Sequence, residues 1–280
     1  MDSMGVRTLM TRAKVSLVGT PMGSAYERMR WAAKFVKRYQ HPELWDFHLE
    51  PYRFDLALTH LVRDDSNCLD GGCHVGSVLA QMVNLAPNGE HIAVEPVPHK
   101  VTALSRRFPQ VRIVPGALGE APGTMTFFDD HSGFASFHPD PMNTDVNAGR
   151  EVEVHTIDDI VGDRRLDVLK LDIEGAELWA LKGARKVVEY NEPTVVIECG
   201  RDGVLSPFGY TRADMHEFVT EELGYAMYSI VDFLYGRDPL GRCEFDRAGV
   251  YPFRGFNYVC VPASRPVHRL IAEGAREQLF

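Results

Sequence analysis

The chain has 280 residues, 45% of them apolar, which is enough to bury a full hydrophobic core in one large or two small domains. Its formal net charge of −9 argues against a general nucleic-acid-binding protein. The five cysteines contain no C-x-x-C pair and no zinc spacing, and their odd number argues against a disulfide framework. Because no apolar run suits a signal peptide or a membrane span, we expect a soluble, cytoplasmic protein.

Residues 1–62 predict a helical cap. Ser24 and Glu27 form a capping box, and apolar residues then recur at helical spacing as far as Val36. A second helical stretch spans about residues 51–62. We expect these helices to cover the main domain, residues 63–280, rather than to fold independently.

A glycine-rich turn follows at residues 67–76, with the sequence Asn-Cys-Leu-Asp-Gly-Gly-Cys-His-Val-Gly. This pattern is typical of the end of a strand, a turn that a ligand can approach closely, and a helix whose first N–H groups face that ligand. A nicotinamide site requires G-x-G-x-x-G, whereas here an acid precedes the glycines, which favours S-adenosylmethionine with Asp70 opposite its ammonium group, directly or through water. The turn residues predicted to bind the cofactor are Asp70, Gly71, Gly72, His74 and Gly76.

From residue 67 onwards, short apolar runs alternate with helical ones, which indicates a parallel sheet covered on both faces. A second strand at residues 91–94 ends at Glu95 and Pro96, where an acid can accept hydrogen bonds from both ribose hydroxyls. A helix near residues 99–107 and a third strand at residues 111–114 follow. The third strand brings Ala117 and Leu118 to the predicted cofactor site.

Two alternating runs, residues 124–128 and 151–155, predict an antiparallel hairpin. The connection between them has about twenty residues, a length typical of functional or disordered loops. Its Phe134, Ser136 and His138 predict a lid over the substrate, with a poorly ordered insertion as the alternative. His155, next to this loop, is a candidate catalytic base, as are His131 and His138, unless each is simply a solvated histidine.

The second informative stretch covers residues 166–177. It predicts a central strand at residues 168–171, Asp172 at its carboxyl end, and a helix from about residue 174 to residue 189. Ligands bind outside the carboxyl ends of the strands in such sheets, so Asp70, Glu95 and Asp172 should lie at one rim. The end of a fifth strand, residues 194–198, should join them there.

Asp172 and Glu174 are the predicted catalytic carboxylates. Two carboxylates so close together can raise one pKa towards neutrality, or they can share a divalent cation such as Mg²⁺ with Glu198 or a loop histidine. Glu198 is also a candidate substrate contact. The alternatives are that Glu174 only caps the following helix and that Asp172 holds the cofactor.

The last part of the chain predicts a capped helix and a long hairpin. Thr211 with Asp214 begins the helix and Gly224 ends it. Residues 225–233 and 256–261 predict the hairpin strands, with an irregular tip at residues 236–255 and an antiparallel last strand at the sheet edge. Six aromatic residues suit either a stacking wall for a sugar or ring, or core packing: Phe208, Tyr210, Tyr251, Phe253, Phe256 and Tyr258.

With these motifs in place, the sequence resembles the FkbM-type family of S-adenosylmethionine-dependent O-methyltransferases. The matching segments are residues 69–76, 94–96, 154–158, 169–177 and 181–184. At residues 71–74 the family more often has Val-Gly-Ala-Asn, so the chain departs from the family pattern at Gly71, Cys73 and His74.

The resemblance implies an α/β class I methyltransferase (Rossmann-like) fold, a doubly wound sheet that is mostly parallel with an antiparallel last strand. It also implies methyl transfer to a hydroxyl of a small molecule, either a sugar unit or a glycosylated or polyketide-type natural product. The alternatives are a protein or RNA acceptor, a protein that binds S-adenosylmethionine without turnover, and a nicotinamide-dependent oxidoreductase. The oligomeric state stays open, with a homodimer as one option.

Overall fold

The computed structural model describes residues 39–129, 135–136 and 149–268, together with a few positions between 16 and 29. The predicted capping box of Ser24 and Glu27 lies outside the described residues, and so do Phe134 and His138 of the predicted lid. In chain order, the elements as far as residue 155 are α1 (Trp45–Leu61), β1 (Cys68–Gly71), α2 (Ser77–Leu85), β2 (His91–Glu95), α3 (Pro98–Arg107), β3 (Arg112–Pro115), β4 (Ala117–Leu118), β5 (Gly123–Asp129), β6 (Ala135–Ser136) and β7 (Arg150–His155).

The second part of the chain completes the main sheet and adds short helices. In chain order its elements are α4 (Ile157–Val161), β8 (Val168–Leu171), α5 (Glu177–Lys182), α6 (Arg185–Asn191), β9 (Thr194–Glu198), α7 (Asp202–Leu205), α8 (Arg212–Glu217), β10 (Tyr225–Ser229), α9 (Ile230–Tyr235), α10 (Arg242–Ala248) and β11 (Asn257–Pro262). A π-helical turn at Phe218–Glu222 extends α8.

The main sheet has seven strands in the order β10-β11-β9-β8-β1-β2-β3. Strands β1, β2, β3, β8 and β9 are parallel, and β11 is antiparallel to both of its neighbours. This is the class I methyltransferase fold, so the predicted fold class is confirmed. The expected place of the antiparallel strand is wrong, because β11 lies between β9 and β10 and β10 forms the edge.

Hydrophobic cores cover both faces of the sheet. On one face α1 packs through Phe54, Ala57 and Leu58 against Val168 and its strand neighbours. On the other face Leu169 and Leu171 of β8 share a core with α4, α5 and α6. Because helices cover both faces, most residues of the parallel strands are apolar, and Asp70 and Lys170 are buried polar exceptions. None of the described helices is both long enough and apolar enough to cross a membrane.

A second sheet, in the order β4-β7-β5-β6, is inserted after β3. The pairing of β5 with β7 is antiparallel, which confirms the predicted hairpin, and β4 adds a parallel pairing to β7 that the sequence did not reveal.

Three predicted elements are wrong in detail. The single helix at residues 174–189 is in fact α5 and α6, separated at Gly183, where an added Cβ would lie 2.1 Å from the carbonyl oxygen of Gly119. The predicted strand at residues 225–233 ends at Ser229, because the Ser229 side chain accepts a hydrogen bond from the Asp232 N–H and begins α9. The predicted irregular tip contains α10.

Candidate active site

The glycine turn is held against the end of β8. Gly72 has φ +75°, and an added Cβ would lie 1.9 Å from the carbonyl oxygen of Asp172. Gly76 has φ +83°, and its Cβ would lie 2.8 Å from Leu104 and 2.9 Å from Phe108. We expected these glycines to leave room for a ligand, but at both positions the chain itself fills the space. The glycines therefore allow close packing of the turn against the adjoining elements.

Glu95 connects the end of β2 to this turn. Its carboxylate is 3% exposed and accepts hydrogen bonds from the His74 N–H at 2.9 Å and the Val97 N–H at 3.0 Å. A carboxylate has about four acceptor positions. Lys100 adds a cation, with its Nζ 4.0 Å from Glu95 Oε1. Glu95 therefore fixes the turn, and its contact with the ribose hydroxyls stays a prediction. Pro96 follows it directly and is half-buried.

A buried ion pair lies beneath the rim. The register of β1 and β8 pairs Asp70 with Lys170, and their Oδ1 and Nζ atoms are 3.0 Å apart. The ammonium group of Lys170 also lies 3.5 Å from Asp172 Oδ2 and 3.4 Å from the Gly72 carbonyl oxygen. Burial opposes its charge, but the two carboxylates raise the pKa of Lys170. Asp70 is thus already paired with a cation of its own chain, Lys170. Its contact with the ammonium group of the cofactor stays a prediction.

Asp172 and Glu198 meet at the ends of β8 and β9, and their carboxyl groups are hydrogen-bonded to each other. Burial and the neighbouring Asp172 carboxylate raise the pKa of Glu198 to about 10. Burial works against ionisation of Asp172, but Lys170 outweighs it and lowers the pKa of that carboxyl. At neutral pH, therefore, Glu198 carries a proton and donates it in a hydrogen bond to ionised Asp172. We call these two residues the carboxyl pair.

The carboxyl pair is accessible from solvent, because the side chain of Asp172 is 41% exposed. His74 is also exposed, and its charge makes a smaller contribution to lowering the pKa of Asp172. Glu174 is half-buried and has φ +57°, so it lies in the loop after β8 and not in the predicted helix.

His155 lies elsewhere on the rim. Its Nε2 is 3.2 Å from the carbonyl oxygen of Pro115 at the end of β3. Three strand spacings separate β3 from β8, which amounts to about 14 Å. The structure therefore does not bring His155 and Asp172 together, and its predicted role as a base at the same site has no support from this geometry.

The remaining predicted residues fall into two groups. Ala117 and Leu118 form β4, and the Leu118 side chain packs over Gly71, so both lie next to the glycine turn. Ser136 lies in β6, opposite Phe128 of β5. Within residues 39–129 and 149–268, no group of three or more His, Cys, Asp or Glu side chains is arranged to hold a metal ion, so the Mg²⁺ alternative stays a prediction.

Sequence reasoning missed two buried residues, Glu177 and Arg212, which hold the backbone beside the carboxyl pair. Glu177 is 1% exposed, and it accepts hydrogen bonds from the Ile173 N–H at 2.8 Å and the Gly175 N–H at 3.2 Å. Tyr210 donates to the Gly175 carbonyl oxygen at 2.7 Å, so it supports the same loop and is not a stacking wall. The only sequence feature that could have indicated Glu177 is its place as the second acid of the Glu-Gly-Ala-Glu motif at residues 174–177.

Arg212 is the second missed residue and supports the end of β9. It is 3% exposed and donates hydrogen bonds to the carbonyl oxygens of Cys199 at 2.8 Å and Gly200 at 2.9 Å. It also donates to Tyr258 at 2.7 Å. These bonds hold the backbone that follows Glu198. No local pattern distinguishes this arginine from a surface one.

Replacing Glu177 with glutamine should change how stability depends on pH. Burial raises the pKa of Glu177 to about 7 from 4.5, so the folded protein binds this proton more tightly than the unfolded chain. Its contribution to stability is therefore complete below about pH 4.5 and is lost as the pH rises to about 7, by an amount on the order of 3 kcal/mol. Urea unfolding at about pH 5 and about pH 8 should show a smaller difference for Glu177→Gln than for wild type.

The matched control for this experiment is Glu217→Gln, which changes an exposed glutamate on α8. It should keep the wild-type difference between the two pH values. An equal difference in all three proteins would show that Glu177 has an ordinary pKa.

A family model described as the methyltransferase FkbM domain matches residues 70–227. No curated protein gives a significant match.

Among solved structures, the FkbM methyltransferase from Methylobacillus flagellatus is 20% identical with a TM-score of 0.37, and the match covers 60% of this chain and 50% of that one. This chain thus spans half the length of that protein. A TehB-like SAM-dependent methyltransferase from Corynebacterium glutamicum is 14% identical, with a TM-score of 0.38 and coverage of 86% and 97%. A putative rRNA methylase from Clostridium thermocellum is 10% identical, with a TM-score of 0.44 and coverage of 76% and 94%.

Proposed function

The chain belongs to the FkbM methyltransferase family, whose model matches more than half of it, and from this premise we propose that it is an O-methyltransferase. It would transfer the methyl group of S-adenosylmethionine to a hydroxyl of a small molecule, either a sugar unit or a glycosylated or polyketide-type natural product. The observation that carries the proposal is the carboxyl pair at the rim. We further propose that residues 1–62 act as a cap on a methyltransferase domain formed by residues 63–280.

The chemistry of the rim fits the cofactor. The ribose hydroxyls of S-adenosylmethionine are hydrogen-bond donors, and Glu95 places a carboxylate at the end of β2, next to the glycine turn. The ammonium group of the cofactor needs an anion, and Asp70 at the end of β1 is the carboxylate proposed for that contact. When bound, the cofactor supplies an electrophilic methyl group on a sulfonium.

The carboxyl pair suits a hydroxyl acceptor because a hydroxyl must lose a proton as its oxygen takes the methyl group. Asp172 can receive that proton because it is ionised at neutral pH, where Lys170 holds the pKa of this carboxyl low, and because Glu198 occupies only part of its acceptor capacity. The acceptor oxygen would bond to the methyl carbon as the carbon–sulfur bond breaks with its electron pair left on sulfur, and the Asp172 carboxylate would receive the hydroxyl proton. The chain's other task is to hold the acceptor oxygen in line with the methyl group.

The test is a methyl-transfer assay on the purified protein with S-adenosylmethionine and a panel of glycosides, macrolides and their amino-substituted counterparts. We expect S-adenosylhomocysteine and an O-methylated product, detected by mass spectrometry. Methylation of the amino-substituted compounds alone would contradict O-methyl transfer. Tight cofactor binding without any product would favour a binding protein.

Replacing Glu95 with alanine should weaken binding of S-adenosylhomocysteine. The loss should be about 1.5–3 kcal/mol, the range for hydrogen bonds to a charged group, or roughly 10- to 100-fold in Kd. Isothermal titration calorimetry measures it directly. Glu90→Ala removes an exposed carboxylate just before the other end of β2 and should leave Kd unchanged. Equal affinity in wild type and Glu95→Ala would remove Glu95 from the cofactor site.

A further inference from the structure

Three aromatic rings pack together around the start of β11, and we call them the aromatic shelf: Phe47, Phe253 and Phe256. The centroid of the Phe256 ring lies 5.7 Å from that of Phe47 and 5.4 Å from that of Phe253, and the Phe47 and Phe253 centroids are 6.3 Å apart. All three side chains are half-buried, and none belongs to the buried core clusters. Their rings therefore contact each other and also reach solvent.

The aromatic shelf lies at the same rim as the carboxyl pair. The Cys199 N–H donates to the Phe256 carbonyl oxygen at 2.7 Å, and Asn257 is in register with Glu198. Phe47 is near the start of α1, and α1 ends shortly before β1 begins, so its first turn is at the carboxyl ends of the strands. The shelf thus begins one strand away from Glu198.

The backbone of the aromatic shelf is held in place from below. Glu50 is 8% exposed, and its Oε1 accepts hydrogen bonds from the Phe256 and Asn257 N–H groups, both at 2.7 Å. An added Cβ at Gly255 would lie 2.4 Å from the same oxygen. A surface fixed in this way can bind a ligand without first having to be ordered.

Arg201 supplies hydrogen-bond donors at the edge of the aromatic shelf. It follows Glu198 by three residues, is exposed, and its guanidinium carbon lies 5.6 Å from the centroid of the Phe253 ring. Within the part of the chain that the structure describes, it forms no ion pair with an acidic side chain. Because the guanidinium lies over the Phe253 ring, its N–H donors are within reach of a ligand bound at the shelf.

These groups together match a sugar ring. The C–H bonds on one face of a pyranose are attracted to the negative face of an aromatic ring, and its hydroxyls need donors and acceptors around the rim. The shelf offers the rings, Arg201 the donors and Asp172 the acceptor. An aliphatic polyketide chain would leave Arg201 and the carboxyl pair facing apolar groups, which is unfavourable.

We propose that the aromatic shelf and Arg201 form the acceptor subsite and that the acceptor is a pyranose sugar, whose ring stacks on Phe253 with one hydroxyl directed to Asp172. The proposal deepens the proposed function and rests on it for the reaction, but the binding of the sugar is a separate property of the shelf.

Binding is therefore measured without turnover. Saturation-transfer NMR on the full chain with excess S-adenosylhomocysteine would use the methyl glycosides of glucose, mannose, rhamnose and glucuronate as probes. We expect at least one to bind through the protons of one ring face. Phe253→Ala should weaken that binding about tenfold or more, and Phe253→Trp should retain it. The control Tyr190→Ala, an exposed ring on α6, should leave it unchanged.

Measurements on the same wild-type and variant proteins distinguish a failure of the subsite proposal from a failure of the proposed function. Absence of binding by every glycoside, or equal binding by wild type and Phe253→Ala, would overturn the subsite. Glycoside binding that Phe253→Ala abolishes, with no methyl transfer in wild type, would support the subsite and overturn the proposed function. Methylation of a non-sugar acceptor with the same KM in wild type and Phe253→Ala would overturn the subsite and support the proposed function.

Discussion

Replacing Asp172 with asparagine is expected to lower kcat by about 10²- to 10⁴-fold, the usual contribution of a general base. Asparagine keeps the size of the side chain and its hydrogen-bonding capacity, but it cannot accept the proton of the acceptor hydroxyl. The Kd for S-adenosylhomocysteine should change much less than kcat, because the carboxyl group acts mainly on the acceptor. Steady-state kinetics with the acceptor found in the methyl-transfer assay, and calorimetry with S-adenosylhomocysteine, separate the two effects.

The matched variant is Glu198→Gln. Glu198 holds a proton at neutral pH and donates it to Asp172, and a glutamine amide can donate a similar hydrogen bond. We therefore expect Glu198→Gln to retain most of the turnover that Asp172→Asn loses. If the two variants lose equal activity, the assignment of the ionised member of the carboxyl pair is wrong. If Asp172→Asn has wild-type turnover, Asp172 is not the base.

Replacing Lys170 with methionine should have the largest effect on the fold. The substitution leaves the fully buried Asp70 carboxylate without its cation at 3.0 Å, and breaking a buried pair in this way costs about 3–5 kcal/mol. It also removes the group that holds the pKa of Asp172 low. Because turnover needs ionised Asp172, the acidic limb of the kcat profile should move to higher pH. Thermal unfolding and the pH dependence of kcat measure the two effects.

A second variant separates stability from catalysis if Lys170→Met folds poorly. Asp70→Asn combined with Lys170→Met removes both buried charges, and such neutral replacements are often close to wild type in stability. We expect the double variant to fold and to keep the displaced acidic limb, since its Asp172 still lacks the ammonium group at 3.5 Å. A double variant with the wild-type pH profile would limit Lys170 to a structural role.

Much of the fold was predictable because its signals are local. The strands at residues 168–171 and 194–198 are continuous apolar runs with turn residues around them, and their observed bounds match the predicted ones. The capping box of Thr211 and Asp214 is also present as predicted, because its hydrogen bonds join residues three apart. The rule that ligands bind at the carboxyl ends of parallel strands then placed Asp70, Glu95 and Asp172 at one rim without any structure.

The wrong elements were decided by contacts between distant segments. The helix at residues 174–189 divides at Gly183 because the chain after β4 lies against it, and nothing near residue 183 in the sequence encodes that neighbour. The position of β11 between β9 and β10 depends on its pairing with two strands that are distant from it in the sequence. The hydrophobic pattern of a segment predicts which of its residues are buried, but it does not predict which other segment packs against them.

The sequence by itself determined which residues lie at the rim, since strand ends and the glycine turn are local features. Only the tertiary structure decided their charge states and partners. The register of β1 and β8 brings Lys170 against Asp70 and near Asp172, and the adjacency of β8 and β9 joins Asp172 to Glu198. A carboxyl's pKa depends on burial and on charges within a few ångströms. Those distances join residues far apart in the chain, so they exist only once the sheet has formed.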